Sequence, residues 1–155
     1  LIHVDVSNEK IAALKIKKAL EDVFSFTIEI DQVGIFWQDM ETGGGHTLYL
    51  RIKAKPEIFK LQLKIAKILS PIVNSKKIPN HIYNKSVLRE SFKSYGFPYV
   101  VSHWIPHFTI ASLKTEKSHP MITEFMKWQP SYTMIELNPS CWHIEGDKHI
   151  KLESN

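Results

Sequence analysis

The sequence contains a single cysteine, Cys141, among its 155 residues, so no disulfide can form within it. Exported domains often depend on disulfides, and this cysteine usage therefore favours a reducing, cytoplasmic location. No apolar run approaches the roughly 20 residues that a membrane-spanning helix needs, and no charged segment followed by an apolar one marks a signal peptide. We expect a protein that does not enter a membrane.

Metal-ligand spacing is also missing from the sequence. Four of the eight histidines are dispersed, and one cysteine cannot build a thiolate zinc site. These four are His81, His119, His143 and His149. We therefore expect no bound metal and no cofactor.

The composition is that of an ordinary globular chain, with 43% hydrophobic and 23% charged residues. We expect one domain over residues 1–155 and a monomer. The formal net charge of +4 is compatible with an anionic partner such as RNA or a nucleotide. Lysines at positions 60, 64, 67, 76 and 77 could guide such a partner. Lysines spaced in this way more often simply form the solvent-exposed face of a helix.

Hydrophobic periodicity and turn residues predict an alternation of strands and helices. The predicted strands are 1–6, 25–31, 33–37, 46–54, 106–112, 132–137, 141–145 and 149–153, and the predicted helices are 9–24, 56–70, 86–95 and 120–128. The first and last thirds then share the order strand, helix, strand, strand, strand. We therefore expect an α+β fold with two similar lobes of antiparallel sheet and helices packed outside.

One segment carries a polar pattern on an otherwise apolar strand. In Pro106-His107-Phe108-Thr109-Ile110-Ala111, the side chains of a strand alternate between two faces. His107 and Thr109 are therefore expected to project together, with Phe108 and Ile110 on the opposite, helix-covered side. An imidazole beside a hydroxyl on one face is a candidate for acid-base chemistry on an oxyanion.

This segment resembles the second motif of the two-histidine (2H) phosphoesterase superfamily, particularly the bacterial 2′-5′ RNA ligase-like branch. The matching residues are Trp104-Ile105-Pro106-His107-Phe108-Thr109-Ile110-Ala111. The strand and helix order upstream is similar too, but sharp identity is confined to this one motif. In that superfamily, two His-x-Thr/Ser motifs face each other across a groove.

The resemblance implies a metal-independent phosphodiesterase. One neutral histidine would deprotonate a water or ribose hydroxyl, and a second, protonated histidine would donate a proton to the departing oxygen. The Thr or Ser hydroxyls would bind non-bridging phosphate oxygens. The implied substrates are RNA or nucleotides with 2′,3′-cyclic phosphates or 2′,5′ linkages. A nucleotide-binding or RNA-binding module with a degenerate site is the alternative.

The sequence departs from that pattern at the first motif, because His107 is the only histidine followed two positions later by Thr or Ser. Three explanations are open. The chain starts as if within a strand, so the missing motif is expected upstream of Leu1, in an N-terminal strand and helix that this sequence lacks. Alternatively, His3 serves as the second histidine with Asp5 in place of the hydroxyl. The third explanation is a binding-only relative.

Other histidines and tryptophans could either contact a ligand or have a structural role. His46 follows three glycines, and we interpret it as a hairpin residue entering a strand rather than a phosphate contact. His103 and Trp104 are candidates for substrate binding by stacking on a base, with rim packing equally open. The remaining tryptophans at 37, 128 and 142 are expected in the core.

Overall fold

The structure, a computed structural model, describes residues 2–21, 23, 25–53, 55–74, 77–130 and 134–152. Its helices are α1 (Glu9–Leu20), α2 (Pro56–Leu69), α3 (Asn80–Tyr83), α4 (Ser86–Tyr95) and α5 (Pro120–Lys127), and its strands are β1 (Phe26–Asp39), β2 (Gly45–Lys53), β3 (His107–Leu113), β4 (Met134–Leu137), β5 (Trp142–Glu145) and β6 (Lys148–Lys151). This confirms the α+β class. Within the described ranges, no helix has the length and apolar character needed to cross a bilayer.

The chain divides into two compact units whose segments alternate along the sequence. The helical unit comprises Leu1–Phe26, Lys55–Trp104 and Leu137–Asn155, and it contains α1 to α4 with the β5–β6 hairpin. The sheet unit comprises Thr27–Ala54 and Ile105–Glu136. The two units therefore differ in secondary structure, one being mainly helical and the other mainly sheet.

The core of the helical unit lies between α1 and α2. Ala12 of α1 is buried against Leu61, Ile65 and Leu69 of α2, because apolar residues spaced three or four apart share one helix face. The Lys64 ammonium donates to the Ala19 carbonyl at 2.8 Å, so this lysine closes the end of α1. Residues of the N-terminal segment with even numbers, Ile2, Val4 and Val6, pack on the same core.

The sheet unit is organised around β2, in a four-stranded sheet of order β3-β2-β1-β4. β2 pairs antiparallel with both β1 and β3. Its residues Leu48, Leu50 and Ile52 are buried and point to one face, as the alternation of a strand requires. The opposite face carries Thr47, Tyr49, Arg51 and Lys53.

Several sequence-based boundaries are wrong in the N-terminal third. Residues 2–5 form no strand, and Val6 makes only an isolated bridge to Val73. α1 ends at Leu20 rather than residue 24, and the two strands expected between 25 and 37 are one strand with an irregularity after Ile30. The shared element order of the first and last thirds is therefore not observed. Residues 1, 22, 24, 54, 132, 133 and 153 of the predicted elements lie outside the described residues.

The tryptophan prediction is also wrong, because Trp37, Trp128 and Trp142 are each between 45% and 48% exposed. Trp128 directly follows the last residue of α5, and Trp142 is the first residue of the two-stranded β5–β6 sheet, where little chain is available to cover an indole. Trp37 instead has the Lys117 ammonium 5.4 Å from its ring centroid, a cation–π contact.

A buried glutamine fixes the loop that precedes β3. The fully buried Gln62 amide donates to the Tyr99 carbonyl at 2.9 Å, and its Oε1 accepts from the Val101 backbone N–H at 2.7 Å. Val101 has φ +54°, a left-handed conformation that β-branched residues avoid. The two hydrogen bonds therefore hold a conformation that the loop residue would not adopt by itself.

We predict that Gln62→Leu lowers the free energy of unfolding by about 2–3 kcal/mol, because it leaves the part-buried Tyr99 carbonyl and Val101 N–H without these partners. Urea unfolding followed by circular dichroism measures the effect. Gln129→Leu, at an exposed position, is the matched control and should change the unfolding free energy by less than about 0.5 kcal/mol. Equal values for the two variants would contradict the role given to Gln62.

Candidate active site on the sheet

The register between β2 and β3 brings four side chains onto one sheet face. Arg51 lies directly opposite His107, and Tyr49 lies directly opposite Thr109. Residues opposite each other in an antiparallel pair have Cβ atoms about 4.5–5.5 Å apart and point to the same side. We call this surface, carrying Tyr49, Arg51, His107 and Thr109, the His107 face.

A bulge in β3 breaks the simple alternation of side chains just after Thr109. Thr109 pairs with Tyr49 and Ala111 pairs with Leu48, so Ile110 has no residue opposite it. The prediction that Ile110 points into a covered side is wrong, since Ile110 is 51% exposed. Phe108, opposite the buried Leu50, is half-buried as expected.

The His107 ring is held in one orientation by a backbone hydrogen bond and two aromatic rings. Its Nδ1 lies 2.6 Å from the Ile105 carbonyl oxygen, which can only accept, so Nδ1 carries a proton. The ring centroid lies 5.0 Å from that of Phe36 and 5.3 Å from that of Tyr49, both in edge contacts. Nε2 makes no hydrogen bond with the described residues and is therefore the nitrogen that can exchange a proton with a ligand.

Gly34 makes room for the tyrosine of this face. Tyr49 is buried, its ring stacks on Phe36 at 4.1 Å between centroids, and it covers Gly34 on the neighbouring strand. A Cβ atom at position 34 would lie 2.6 Å from the Tyr49 hydroxyl oxygen. Burial raises the pKa of the Tyr49 phenol, so the hydroxyl stays protonated at neutral pH and can act as a donor.

Thr109 is exposed, and its hydroxyl makes no hydrogen bond with the residues that the structure describes. Hydroxyls further along the sheet, in contrast, have hydrogen-bond partners. Thr47 Oγ1 lies 3.1 Å from Ser112 Oγ and 3.0 Å from Thr42 Oγ1, so these three groups satisfy one another. The Thr109 hydroxyl is therefore free to meet a ligand.

Arg51 is fixed by an ion pair with Asp31 of β1. Its Nε donates to Oδ1 at 2.8 Å and its Nη2 donates to Oδ2 at 2.8 Å. These hydrogen bonds lower the pKa of the Asp31 carboxyl, so the pair is ionised at neutral pH. The stability that it contributes is present above the ordinary carboxyl pKa and is lost as the pH falls through the lowered value.

The other predicted site residues lie in the helical unit. His3 is exposed in the N-terminal segment, between Ile2 and Val4. His103 closes a 3₁₀ turn over Val101–His103, with Nε2 3.5 Å from Ser102 Oγ. Trp104 makes an edge contact with Phe59 of α2 at 5.8 Å between centroids, which is packing on a helix.

The remaining described histidines of the sheet unit are not part of the His107 face. His46 is buried at the start of β2, and its Nδ1 accepts from the Gln38 backbone N–H at 3.1 Å. This agrees with its interpretation as a hairpin residue. His119 caps α5 by accepting from the Met121 backbone N–H. No group of three or more potential metal ligands occurs among the described residues.

Sequence reasoning missed Tyr49, Arg51, Asp31 and Gly34. The pattern Thr47, Tyr49, Arg51, Lys53 does alternate with apolar residues along β2, and that signal marks a strand with one polar face. It does not show that β3 is the neighbour of β2 or which residues stand opposite each other. The partners of His107 therefore became visible only with the register.

Comparisons of the chain with profiles of protein families, with curated proteins and with solved structures found no match. The resemblance to the 2H superfamily therefore rests on residues 104–111 alone. The function of the His107 face has to be argued from its own geometry.

We predict that Gly34→Ala displaces the Tyr49 ring and lowers the free energy of unfolding by about 1–3 kcal/mol, because the new methyl group overlaps the ring. A double-mutant cycle with Tyr49→Ala measures the coupling between the two sites. In the Tyr49→Ala background, the same glycine substitution should cost little. Additive costs would show that the overlap is not the cause.

We also predict that neutral His107 carries its proton on Nδ1. The ¹⁵N chemical shifts of the imidazole, recorded above the titration of the ring, should show an unprotonated Nε2 and a protonated Nδ1. His149, exposed on β6, is the reference ring. Protonation of His107 at Nε2 would contradict the hydrogen bond to Ile105.

Proposed function

We propose that this protein is a metal-independent phosphodiesterase that acts on RNA or nucleotide 2′,3′-cyclic phosphates or 2′,5′ linkages. One observation carries the proposal. His107 has its Nδ1 occupied by the Ile105 carbonyl, so that Nε2 is left for a ligand on the face that also bears the unpaired Thr109 hydroxyl. An oriented imidazole beside a free hydroxyl suits proton transfer at a phosphorus centre.

The chemistry follows from these two groups. The neutral Nε2 of His107 takes a proton from the attacking water or hydroxyl, while the new P–O bond forms and the P–O bond to the leaving oxygen breaks. A second acid gives a proton to that oxygen. In the reverse direction, protonated His107 acts as this acid. The Thr109 hydroxyl donates to a non-bridging oxygen, where negative charge grows.

The proposed reaction also needs a second acid-base group. His46 and His119, the other described histidines of the sheet unit, do not lie on the His107 face: His46 lies at the start of β2 and pairs with Leu113, and His119 caps α5. The 2H resemblance implies that a second His-x-Thr/Ser motif supplies this group.

The alternative function is a nucleotide-binding or RNA-binding module. The observation that favours it is the single imidazole on the His107 face among the described residues. Such a module would keep the Thr109 hydroxyl and the cationic Arg51 as ligand contacts but would lack the second proton-transfer group. Binding without turnover is what distinguishes the two functions.

We predict that the protein opens a 2′,3′-cyclic nucleotide in the presence of EDTA, and that His107→Ala lowers kcat by about 10²-fold or more, because it removes proton transfer. Thr109→Val, which has nearly the same shape, should also lower kcat through the lost hydrogen bond to phosphate. Initial rates measured by product chromatography report both effects. His149→Ala, at an exposed position on β6, is the control with expected wild-type rates.

Three results decide between the alternatives. Wild-type kcat in the His107→Ala variant would remove His107 from catalysis. An inert wild-type protein that binds the nucleotide with an affinity dependent on Thr109 would establish the binding module instead. An inert protein that does not bind nucleotides would contradict both functions.

A further inference from the structure

Part of the Arg51 guanidinium, on the His107 face, has N–H donors that make no hydrogen bond with the described residues. The three hydrogen bonds to Asp31 come from Nε, twice, and from Nη2. A guanidinium has five N–H donors, so both Nη1 donors and the second Nη2 donor have no partner within the part of the chain that the structure describes. These donors form the end-on fork that fits two oxygens of a phosphate or carboxylate.

Asp31 fixes this fork in place. Free arginine side chains lose considerable rotamer entropy when they bind an anion, whereas Arg51 is already held by a side-on carboxylate. The hydrogen bonds that Arg51 donates to the Asp31 carboxylate raise the pKa of Arg51 further, so the charge is permanent. With 40% of its side chain exposed, the group remains accessible to a ligand.

The position of the Arg51 guanidinium suits contact with a phosphate next to the scissile one rather than with the scissile phosphate itself. Arg51 stands opposite His107 in the β2–β3 ladder, but its guanidinium is bound to Asp31 of β1, which lies on the other side of β2 from His107 and Thr109. Neighbouring strands lie about 4.8 Å apart, so this ion pair holds the guanidinium away from β3. Lys53 continues the same row one step further, paired with Glu29 at 3.1 Å.

We propose that Arg51 is a specificity-determining residue that binds a second phosphate, next to the one held by His107 and Thr109. The inference rests on the proposed phosphodiesterase function and names its preferred substrate class. The site takes an oligonucleotide with a phosphate adjacent to the reacting one in preference to a mononucleotide. Asp31 acts as a positioning residue for the guanidinium.

The test compares two substrates, of which only one has a phosphate next to the reacting one. One is cytidine 2′,3′-cyclic phosphate, and the other is a trinucleotide with a 5′-hydroxyl that ends in the same cyclic cytidine. Arg51→Gln should lower kcat/KM for the trinucleotide by about 10-fold, the usual effect of losing a hydrogen bond to a charged group. For the mononucleotide, which lacks the second phosphate, the loss in kcat/KM should be clearly smaller.

Matched variants separate this effect from general loss of charge or of fold. Lys148→Gln removes one exposed cation from β6 and should leave both substrates unaffected. The double variant Asp31→Asn, Arg51→Gln avoids an unpaired carboxylate, and it should lose the trinucleotide preference as the single variant does. Arg51→Lys keeps the charge without the fork and should restore part of the preference. Circular dichroism confirms that each variant is folded.

The outcomes distinguish this inference from the function on which it rests. If the wild-type protein turns over both substrates and Arg51→Gln lowers both equally or neither, the second-phosphate site is wrong and the phosphodiesterase function stands. If the wild-type protein turns over neither, the phosphodiesterase function is wrong. Binding of a 2′-O-methyl trinucleotide then decides: weaker binding in Arg51→Gln supports the anion site, and unchanged binding overturns it.

Discussion

The register of β2 against β3 is the constraint on which the His107 face depends. Because the side chains of a strand repeat every two residues, a shift of one residue would send Tyr49 and Arg51 to the buried side of the sheet. The observed register instead sets Arg51 opposite His107 and Tyr49 opposite Thr109. The bulge at Ile110 lies beyond these pairs, so it alters the strand without disturbing them.

Aromatic packing and backbone hydrogen bonding then hold the imidazole in one orientation, with its proton on Nδ1. The rings of Phe36 and Tyr49 make edge contacts with it, and the Ile105 carbonyl accepts a hydrogen bond from Nδ1. A ring fixed in this way loses little freedom when a ligand arrives, which is a general requirement of a preorganised site. The Asp31–Arg51 pair supplies the same kind of fixed geometry for a cation.

The sequence predicted correctly those features that depend on neighbouring residues, such as helix ends and the alternation of side chains in a strand. The helix over Ser86–Tyr95 ends where Gly96 takes φ +69°, as a glycine C-cap implies. The alternation around His107 and Thr109 correctly places these two on one face. The N-terminal segment resembled a strand because Ile2, Val4 and Val6 alternate, but they pack on helices instead. Pairing between distant strands has no local signature, so Arg51 and Tyr49 escaped prediction.

Chemical rescue of His107→Ala by imidazole tests the proton-transfer role of Nε2 most directly. Imidazole added to this variant should restore turnover of a 2′,3′-cyclic nucleotide with saturable dependence on its concentration, since the vacated space lies beside Phe36 and Tyr49. The unsubstituted protein should show no such increase. Full activity of the variant without imidazole, or a cyclic nucleotide left intact by the unsubstituted protein, would contradict the account.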